Sequence, residues 1–470
     1  MKISPDKGES IALRECCRRI LIPPRDRART FIVKGCTYES VYRLAAGIYR
    51  LKLSAEKSDG AICLCTDDKT LLAAALVAAL AGGLPVVLPY AFSWQAVKEV
   101  MNIMPLSFIL TDDSGPGIGD FPPGPEVVAP SRLHHDAEIP DATVDLDKPF
   151  LLLFTGGSTG KPKIWSKTPR NVFAEALYFS ERFGITSDDV FLSTAPPRHI
   201  YGLLHSVLIP FISSARVLDG VYTYPREILH VAQEYGASVL VSVPAHYRVL
   251  KIDDLQRYDL KLAFSSAGAL DKEDAAYFHQ KTGLDITEIY GSTETGGVAT
   301  RRPVTEGASW RLLDLVDCKI VEERLHVRSA FISPTLPCDQ DGFFATADRA
   351  DPDGKQSFIL RGRADDIVKV GGKRVDMAAV QAKLKQIPGV HDAVVISLPT
   401  EQGRQNELAA LVVTQRDILQ VRKDLAEVSE PYAVPRRMVV VQEIPVTATG
   451  KYDREGIEGV LRGRGSRFEG

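Results

Sequence analysis

From residue 61 to residue 291 the chain repeats one rhythm. A short run of Val, Ile, Leu, Phe or Cys without alternating polar residues is followed by a longer stretch with helical spacing. The runs are AICLC (61–65), PVVLP (85–89), SFILT (107–111), FLLLFT (150–155), VFLSTAP (190–196), ARVLD (215–219), SVLVSVP (238–244), KLAFSSAG (261–268) and DITEIYG (285–291). A strand with one face in water alternates apolar and polar residues, whereas a continuous apolar run must be covered on both faces. Parallel sheets with helices on either side provide that cover. The expected fold is therefore α/β, with a large N-terminal body of parallel sheets flanked by helices. The Gly- and Pro-rich stretch from about 112 to 148 reads as a connection between two such units.

After residue 300 the texture changes. DCKIVEERLHVRS, GFFATAD and SFILRG are strand-like, with turn signals at Asp341-Gly342 and Asp353-Gly354, and imply a small antiparallel region. The last hundred residues change again. The order DIVKV, a helix, AVVIS, LAALVV, a second helix and RMVVV predicts a small α+β unit of the form βαββαβ. Asp376 should cap the first of these helices, whose apolar face is Met377, Val380, Leu384 and Ile387. The boundary is expected near Gly362-Arg363. That gives a large domain over 1–362 and a small, mobile C-terminal domain over 363–470.

With 470 residues the chain can bury a large core, and a net charge of −3 carries no basic footprint for nucleic acid or an anionic membrane. Leu71 to Tyr90 is 20 residues without a charge, long enough to consider as a membrane span. Gly82, Gly83, Pro85 and Pro89 break its second half, so a buried helix followed by a buried strand is expected and no membrane span. Met1 to Arg14 is polar and lacks the apolar core of a signal peptide. Seven cysteines form no disulfide framework and point to a reducing compartment, with cytoplasmic localisation expected. Cys63 and Cys65 should face one side of a strand, but CxC without a second pair is a weak metal signal. The scattered cysteines read as core residues.

Four segments carry chemistry. Thr155-Gly156-Gly157-Ser158-Thr159-Gly160-Lys161-Pro162-Lys163 follows a strand directly. Glycines let backbone N–H groups approach an anion, hydroxyls add donors and lysines add charge, which suits nucleotide phosphates. It is not a GxxxxGK[ST] loop, because Thr155 stands where the first Gly is needed and Pro162 follows Lys161. A plain turn reads the same way. Tyr290-Gly291-Ser292-Thr293-Glu294-Thr295-Gly296 offers a flat aromatic, a hydroxyl and a carboxylate suited to Mg²⁺, or merely a solvated turn. Thr346-Ala347-Asp348 and the run Arg361-Gly362-Arg363-Ala364-Asp365-Asp366 could hold a ribose, or form a charged linker with Lys369, Lys373 and Arg374. Finally, Lys451 closes the Gly/Thr-rich loop PVTATGK.

In this order and spacing the four segments resemble the AMP-forming acyl-activating superfamily. That superfamily includes acyl- and aryl-CoA synthetases, adenylation domains of peptide synthetases and luciferases. The resemblance covers residues 36 to 454 and extends to CTYESVYRLA (36–45), LAGGLPVVLPY (80–90), PPRHIYG (196–202), SSAGAL (265–270) and RLHVRS (324–329). PPRHIYG and the chain's compactness also resemble the small AMP ligases of aryl polyene clusters. Two residues depart from the family pattern. Gly156 stands where Ser is usual, and TAD stands where TGD is usual, placing Ala347 ahead of the retained Asp348.

The resemblance implies an ATP-dependent carboxylate ligase that forms an acyl- or aryl-adenylate, releases pyrophosphate and passes the acyl group to a thiol. The acceptor would be coenzyme A or the phosphopantetheine of a separate carrier protein. By the same resemblance, Thr155, Gly156, Gly157, Ser158, Thr159, Gly160 and Lys163 would hold phosphates. Tyr290 and Gly291 would meet adenine, Thr293 the α-phosphate, and Glu294 the metal. Asp348, Arg363 and Arg374 would take the ribose side of the nucleotide, Asp365 would be the hinge, and Gly371 and Gly372 would line the thiol tunnel. Lys451 would bridge carboxylate and α-phosphate. The acid, aromatic or of medium chain length, would be lined by His199, Tyr201, Val243, Ala245, Ser266 and Gly268, with His199 equally readable as a structural histidine. The alternative is a regulatory nucleotide-binding protein of the same fold without catalysis, against which Lys451, Glu294 and Asp348 argue. A luciferase-type oxidase shares only ancestry.

Overall fold

The computed structural model describes residues 7–54, 60–112, 124–133, 139–140, 144–155, 163–250, 259–370, 373–399, 406–447 and 452–463. Contacts divide the chain into two compact units, Met1–Asp317 with Val327–Phe344, and Cys318–His326 with Ala345–Gly470.

In the first unit the apolar runs form two sheets. One has the order Glu126–Val128, Leu106–Thr111, Ala61–Cys65, Val86–Leu88, Leu151–Thr155, Lys163–Lys167. Its neighbours are parallel except for the final pair, in which Thr155 lies opposite Lys163. The other runs Arg216–Val217, Val190–Ser193, Val239–Ser242, Leu262–Ser265, Ile286–Ser292, all parallel, and then adds Gly296–Arg301 and Trp310–Leu312 antiparallel. The expectation of doubly covered parallel strands is met, since every residue of Ala61–Cys65, Val86–Leu88, Val190–Ser193 and Val239–Ser242 is buried. One expectation is corrected. The stretch 112 to 148 is more than a connection, because Glu126–Val128 adds a parallel edge strand beside Phe108–Leu110. Three residues with a single apolar neighbour are too short for periodicity to reveal.

The uncharged stretch is the helix Lys69–Leu80, buried almost throughout, followed by the strand Val86–Leu88. Asp68 caps the helix by accepting from the Leu71 N–H at 2.8 Å. Among the described residues no helix is long and apolar enough to cross a membrane. None of the seven cysteines is in a disulfide. Cys63 and Cys65 do face one side, with Sγ atoms 4.0 Å apart. Among the described residues no group of three His, Cys, Asp or Glu is arranged to hold a metal. The reading of the cysteines as core holds for Cys17, Cys63 and Cys65. It fails for Cys338, which is exposed, and Cys16, Cys36 and Cys318 are only half-buried.

The second unit is built on the antiparallel sheet of Val390–Pro399 with Asn406–Thr414, to which Arg437–Val440 adds in parallel. Its side chains sort with period two. Ala393 and Val395 pack with the helices Met377–Gln386 and Ile418–Glu427, while Val394, Ile396 and Leu398 pack with Arg454–Gly463. Asp376 caps the first helix through the Ala379 N–H at 3.2 Å, as expected, and Asp417 caps the second through Leu419. The βαββαβ reading omits the strand Lys373–Asp376, which pairs with Ile367–Val370, and the terminal helix. A further hairpin, Phe344–Pro352 with Ser357–Arg363, precedes these elements.

Leu384 is fully buried in the helix-facing core of this unit. Leu384→Ala should lower its unfolding free energy by about 2–5 kcal/mol, the range for a buried Leu truncation. Denaturant titration of the variant against the parent checks this.

Candidate active site

The candidate residues lie where strands end. Ligands of open α/β sheets bind at the carboxyl ends of the strands, where loops and unpaired backbone groups collect. Thr155 ends one strand and Lys163, directly opposite, begins the next. Residues 156–160 of the expected phosphate loop lie outside the described residues, with Lys161 and Pro162. The Lys163 ammonium sits 5.9 Å from the Trp165 ring centre.

The Tyr290–Gly296 segment makes a tight reversal between two antiparallel strands. Ser292 and Thr295 close it, each backbone N–H donating to the other's hydroxyl at 3.1 and 3.2 Å. Thr293 and Glu294 form the tip and are half-buried. Tyr290 packs beside Trp310 with ring centres 5.6 Å apart. Gly291 meets its partner strand so closely that a Cβ there would stand 2.2 Å from the Gly296 carbonyl oxygen. Only glycine fits at that approach.

Two residues beneath this turn escaped the sequence reading. Lys167 is buried and donates to the carbonyls of Phe331 at 2.9 Å and Glu294 at 3.3 Å. Glu175, also buried, accepts from the Gly297 N–H at 2.7 Å. Burial pushes the Lys167 ammonium down to about 8 against the pull of Glu175 and Glu294, and pushes the Glu175 carboxyl up to about 7. The available signal for Glu175 was its four-residue spacing from Asn171 on one face of the helix Pro169–Arg182, whereas Lys167 ends the preceding strand and carried no such signal.

The proposed acid-lining residues are linked in a chain. His199 caps the short helix Ile200–Leu203, which continues through a π-helical turn, Leu204–Leu208. The preceding Arg198 is ion-paired to Asp67 and lies over the Phe92 ring. Gly202 allows close entry, since a Cβ would stand 2.1 Å from the Pro196 carbonyl oxygen. The Tyr201 hydroxyl donates to the Ser242 carbonyl at 3.1 Å, next to Val243, which caps the helix containing Ala245. Gly268 is exposed and would bring a Cβ within 3.8 Å of Pro244. Ser266 donates to the Ile289 carbonyl at 2.8 Å, one residue before Tyr290. Between Ser266 and Gly268, Ala267 takes φ +74°, an unusual left-handed conformation for alanine. The structure therefore brings Tyr201, Val243, Ser266 and Gly268 together beside the Tyr290 strand. His205, one turn after Tyr201, was also missed. Its Nδ1 lies 3.1 Å from the Tyr201 carbonyl, and burial pushes its ring down to about 4, leaving it neutral.

In the second unit, Asp348 and Arg363 lie opposite one another on paired strands, with Oδ1 and Nη1 3.8 Å apart. Asp365 falls in the 3₁₀ turn Ala364–Asp366, and Arg374 in the strand Lys373–Asp376. Gly371, Gly372 and Lys451 lie outside the described residues. Tyr452, next to Lys451, is described. Its hydroxyl donates to Asp392 at 2.8 Å, and Lys385 reaches the same Asp392 oxygen at 2.7 Å.

The AMP-binding enzyme family model matches residues 35–329, and that of the AMP-binding enzyme C-terminal domain matches 379–451. The medium-chain fatty-acid–CoA ligase of Escherichia coli is 26% identical over 344 residues, 66% of this chain and 60% of that protein. The malonate–CoA ligase of Arabidopsis thaliana is 25% identical over 452 residues, covering 80% and 74% of the two chains. The chain thus spans less than two thirds of the Escherichia coli relative's length. Among solved structures, ATP-bound MatB from Rhodopseudomonas palustris superposes with a TM-score of 0.80 at 21% identity, over 95% of this chain and 98% of that one, and so shares the fold. With a family match across more than half its length, the chain belongs to the AMP-binding enzymes.

Proposed function

We infer that the protein is an ATP-dependent carboxylate ligase that makes an acyl- or aryl-adenylate and then a thioester. The observation that carries this reading is the pair of family matches, the second ending on Lys451, together with a Tyr290–Gly296 turn that presents Thr293 and Glu294 at its tip. Its cofactors are ATP and Mg²⁺, and the acceptor is coenzyme A or a carrier-protein phosphopantetheine. The lining proposed for the pocket favours a small acid, aromatic or of medium chain length, and the name of the Escherichia coli relative fits the medium-chain choice. The cysteine usage favours a reducing, cytoplasmic setting.

A carboxylate attacking an α-phosphate meets like charge, so the site must concentrate positive charge and donors where charge builds. The donors proposed for the phosphates are Thr155, Gly156, Gly157, Ser158, Thr159, Gly160 and Lys163, with Thr293 at the α-phosphate and Lys451 between the two anions. Asp348 and Arg363, which face each other on paired strands, are the groups proposed to take the ribose hydroxyls. A metal fits Glu294, because its half-buried carboxylate has no hydrogen-bond or salt-bridge partner among the described residues. Mg²⁺ commonly takes one or two carboxylates and completes its shell with phosphate oxygens and water. Bound there, it would supply charge neutralisation at the phosphates. The adenylate is prone to hydrolysis, so the residues around it must also exclude water. Transfer to the thiol is assigned to the Gly371-Gly372 side of the 363–470 domain, with Asp365 as hinge.

Incubation with ATP and a panel of benzoic, cinnamic and fatty acids should release AMP and pyrophosphate. ADP and phosphate as sole products would overturn the reading. Glu294→Gln should slow pyrophosphate exchange roughly 10²-fold, the scale of losing one principal electrostatic stabiliser.

Gly268→Leu should reject bulky acids while sparing ATP binding, because overpacking acts locally. An equal loss with acetate and with a cinnamic acid would remove Gly268 from the pocket.

Lys451→Ala should abolish adenylate formation yet spare thioester formation from supplied acyl-AMP, and Gly372→Leu should do the reverse. Comparable losses in both half-reactions for both variants would exclude a division of labour between the two segments.

A further inference from the structure

Asn171 and Glu175, four residues apart, lie on one face of the helix Pro169–Arg182, and Lys167 ends the strand just before it. All three are buried. The face that a helix packs into a core should be apolar, and a buried charge is costly unless it is hydrogen-bonded. Here nearly every partner is backbone. The Lys167 ammonium donates to the carbonyls of Phe331 and Glu294. The Asn171 amide donates to those of Ala330 at 2.7 Å and Ile332 at 2.9 Å. Glu175 accepts from Gly297.

Each of these bonds holds one of two segments, the reversal that ends in Gly296-Gly297 and the stretch 330–333. The two are joined directly as well, since the Ser333 N–H donates to the Glu294 carbonyl at 2.9 Å. The Glu294 peptide is thus gripped twice at its oxygen, by an ammonium and by an amide. The fit leaves no slack. A Cβ at Gly296, where φ is +68°, would stand 2.7 Å from Glu175 Oε2 and from Phe331 Cβ, and one at Gly297 would stand 3.0 Å from Glu175 Oε1. Lys167 is also the last residue of the strand Lys163–Lys167, which emerges from the 155–163 loop.

We propose that Lys167, seconded by Glu175, is a positioning residue for nucleotide and metal: its ammonium fixes the Glu294 peptide, so that Thr293 and Glu294 are presented in one orientation. Lys167 touches no substrate. It acts through the turn it holds. The inference rests on the ligase reading, in which Thr293 and Glu294 handle the phosphates and metal. It differs from a merely stabilising role because the consequence should fall on one substrate and spare the other.

The test compares parent, Lys167→Met and Lys167→Arg, with melting temperatures measured alongside. Lys167→Met keeps most of the volume and removes both hydrogen bonds. It should lower kcat/KM for Mg·ATP in pyrophosphate exchange by about 10- to 100-fold, since misplacement on the order of 1 Å costs up to about 10²-fold. It should raise the Mg²⁺ concentration needed for half-maximal rate and leave the KM for the acid within about two-fold. Lys167→Arg, which retains a cationic donor, should recover part of the loss. Equal losses toward ATP and acid, an unchanged kcat/KM for Mg·ATP in a folded Lys167→Met protein, or no recovery in Lys167→Arg would each overturn the proposal. Should Lys167→Met not fold, Lys167→Gln carries the same expectation. Calorimetric titration of Mg·ATP reads the positioning without turnover. A parent protein that binds Mg·ATP but releases no pyrophosphate would sink the ligase reading, while weakened binding in the variant would still support the role of Lys167.

Discussion

Backbone groups at the ends of buried strands have no water to bond, and satisfying them is the constraint around which the larger unit is organised. The chain meets it with charged side chains drawn into the interior. Lys69 is fully buried and donates to the carbonyls of Leu218 at 2.5 Å and Gly220 at 2.9 Å, fastening the loop after one parallel strand to the helix after another. Lys167 does the same for the turn at Glu294. Burial pushes both ammonium groups down to about 8, a measure of how much solvation each gives up. Tyr38 and Tyr201 are neutral versions of the device, donating their hydroxyls to the carbonyls of Ala215 and Ser242. Loops fastened in this way can carry functional groups without carrying slack.

That organisation suits the proposed adenylate chemistry for an electrostatic reason. Bringing two anions together needs donors fixed in place beforehand, because any reorganisation during the reaction would spend the stabilisation they provide. Glycines at 202 and 291 let backbones approach until a single added carbon would collide, and those at 296 and 297 admit the Glu175 side chain as closely. Side chains such as Glu175 and Lys167 hold them from below. The resulting surface presents Thr293 and Glu294 on a turn whose peptide bonds are already committed. In the second unit the facing pair Asp348 and Arg363 is set by strand register, with more freedom because both are partly exposed.

Much of this was legible in the sequence. Continuous apolar runs announced covered parallel strands because two-sided burial leaves no room for alternation. The cap at Asp376 was readable because a capping side chain bonds backbone only two or three residues ahead. The four motifs named the family because their residue types and order lie in the chain itself. What the sequence concealed was everything that depends on partners far along the chain. Lys167 looked like one more lysine after a strand, since the carbonyls that hold it are 127 and 164 residues away. The edge strand Glu126–Val128 was lost in a loop because three residues carry no period, and only the sheet beside it selects that conformation. Local pattern thus determined which segments become strand, helix and turn. Tertiary structure decided which backbone groups those segments bring together, and hence which buried charges are tolerated, because hydrogen bonding between distant segments has no signature in local spacing.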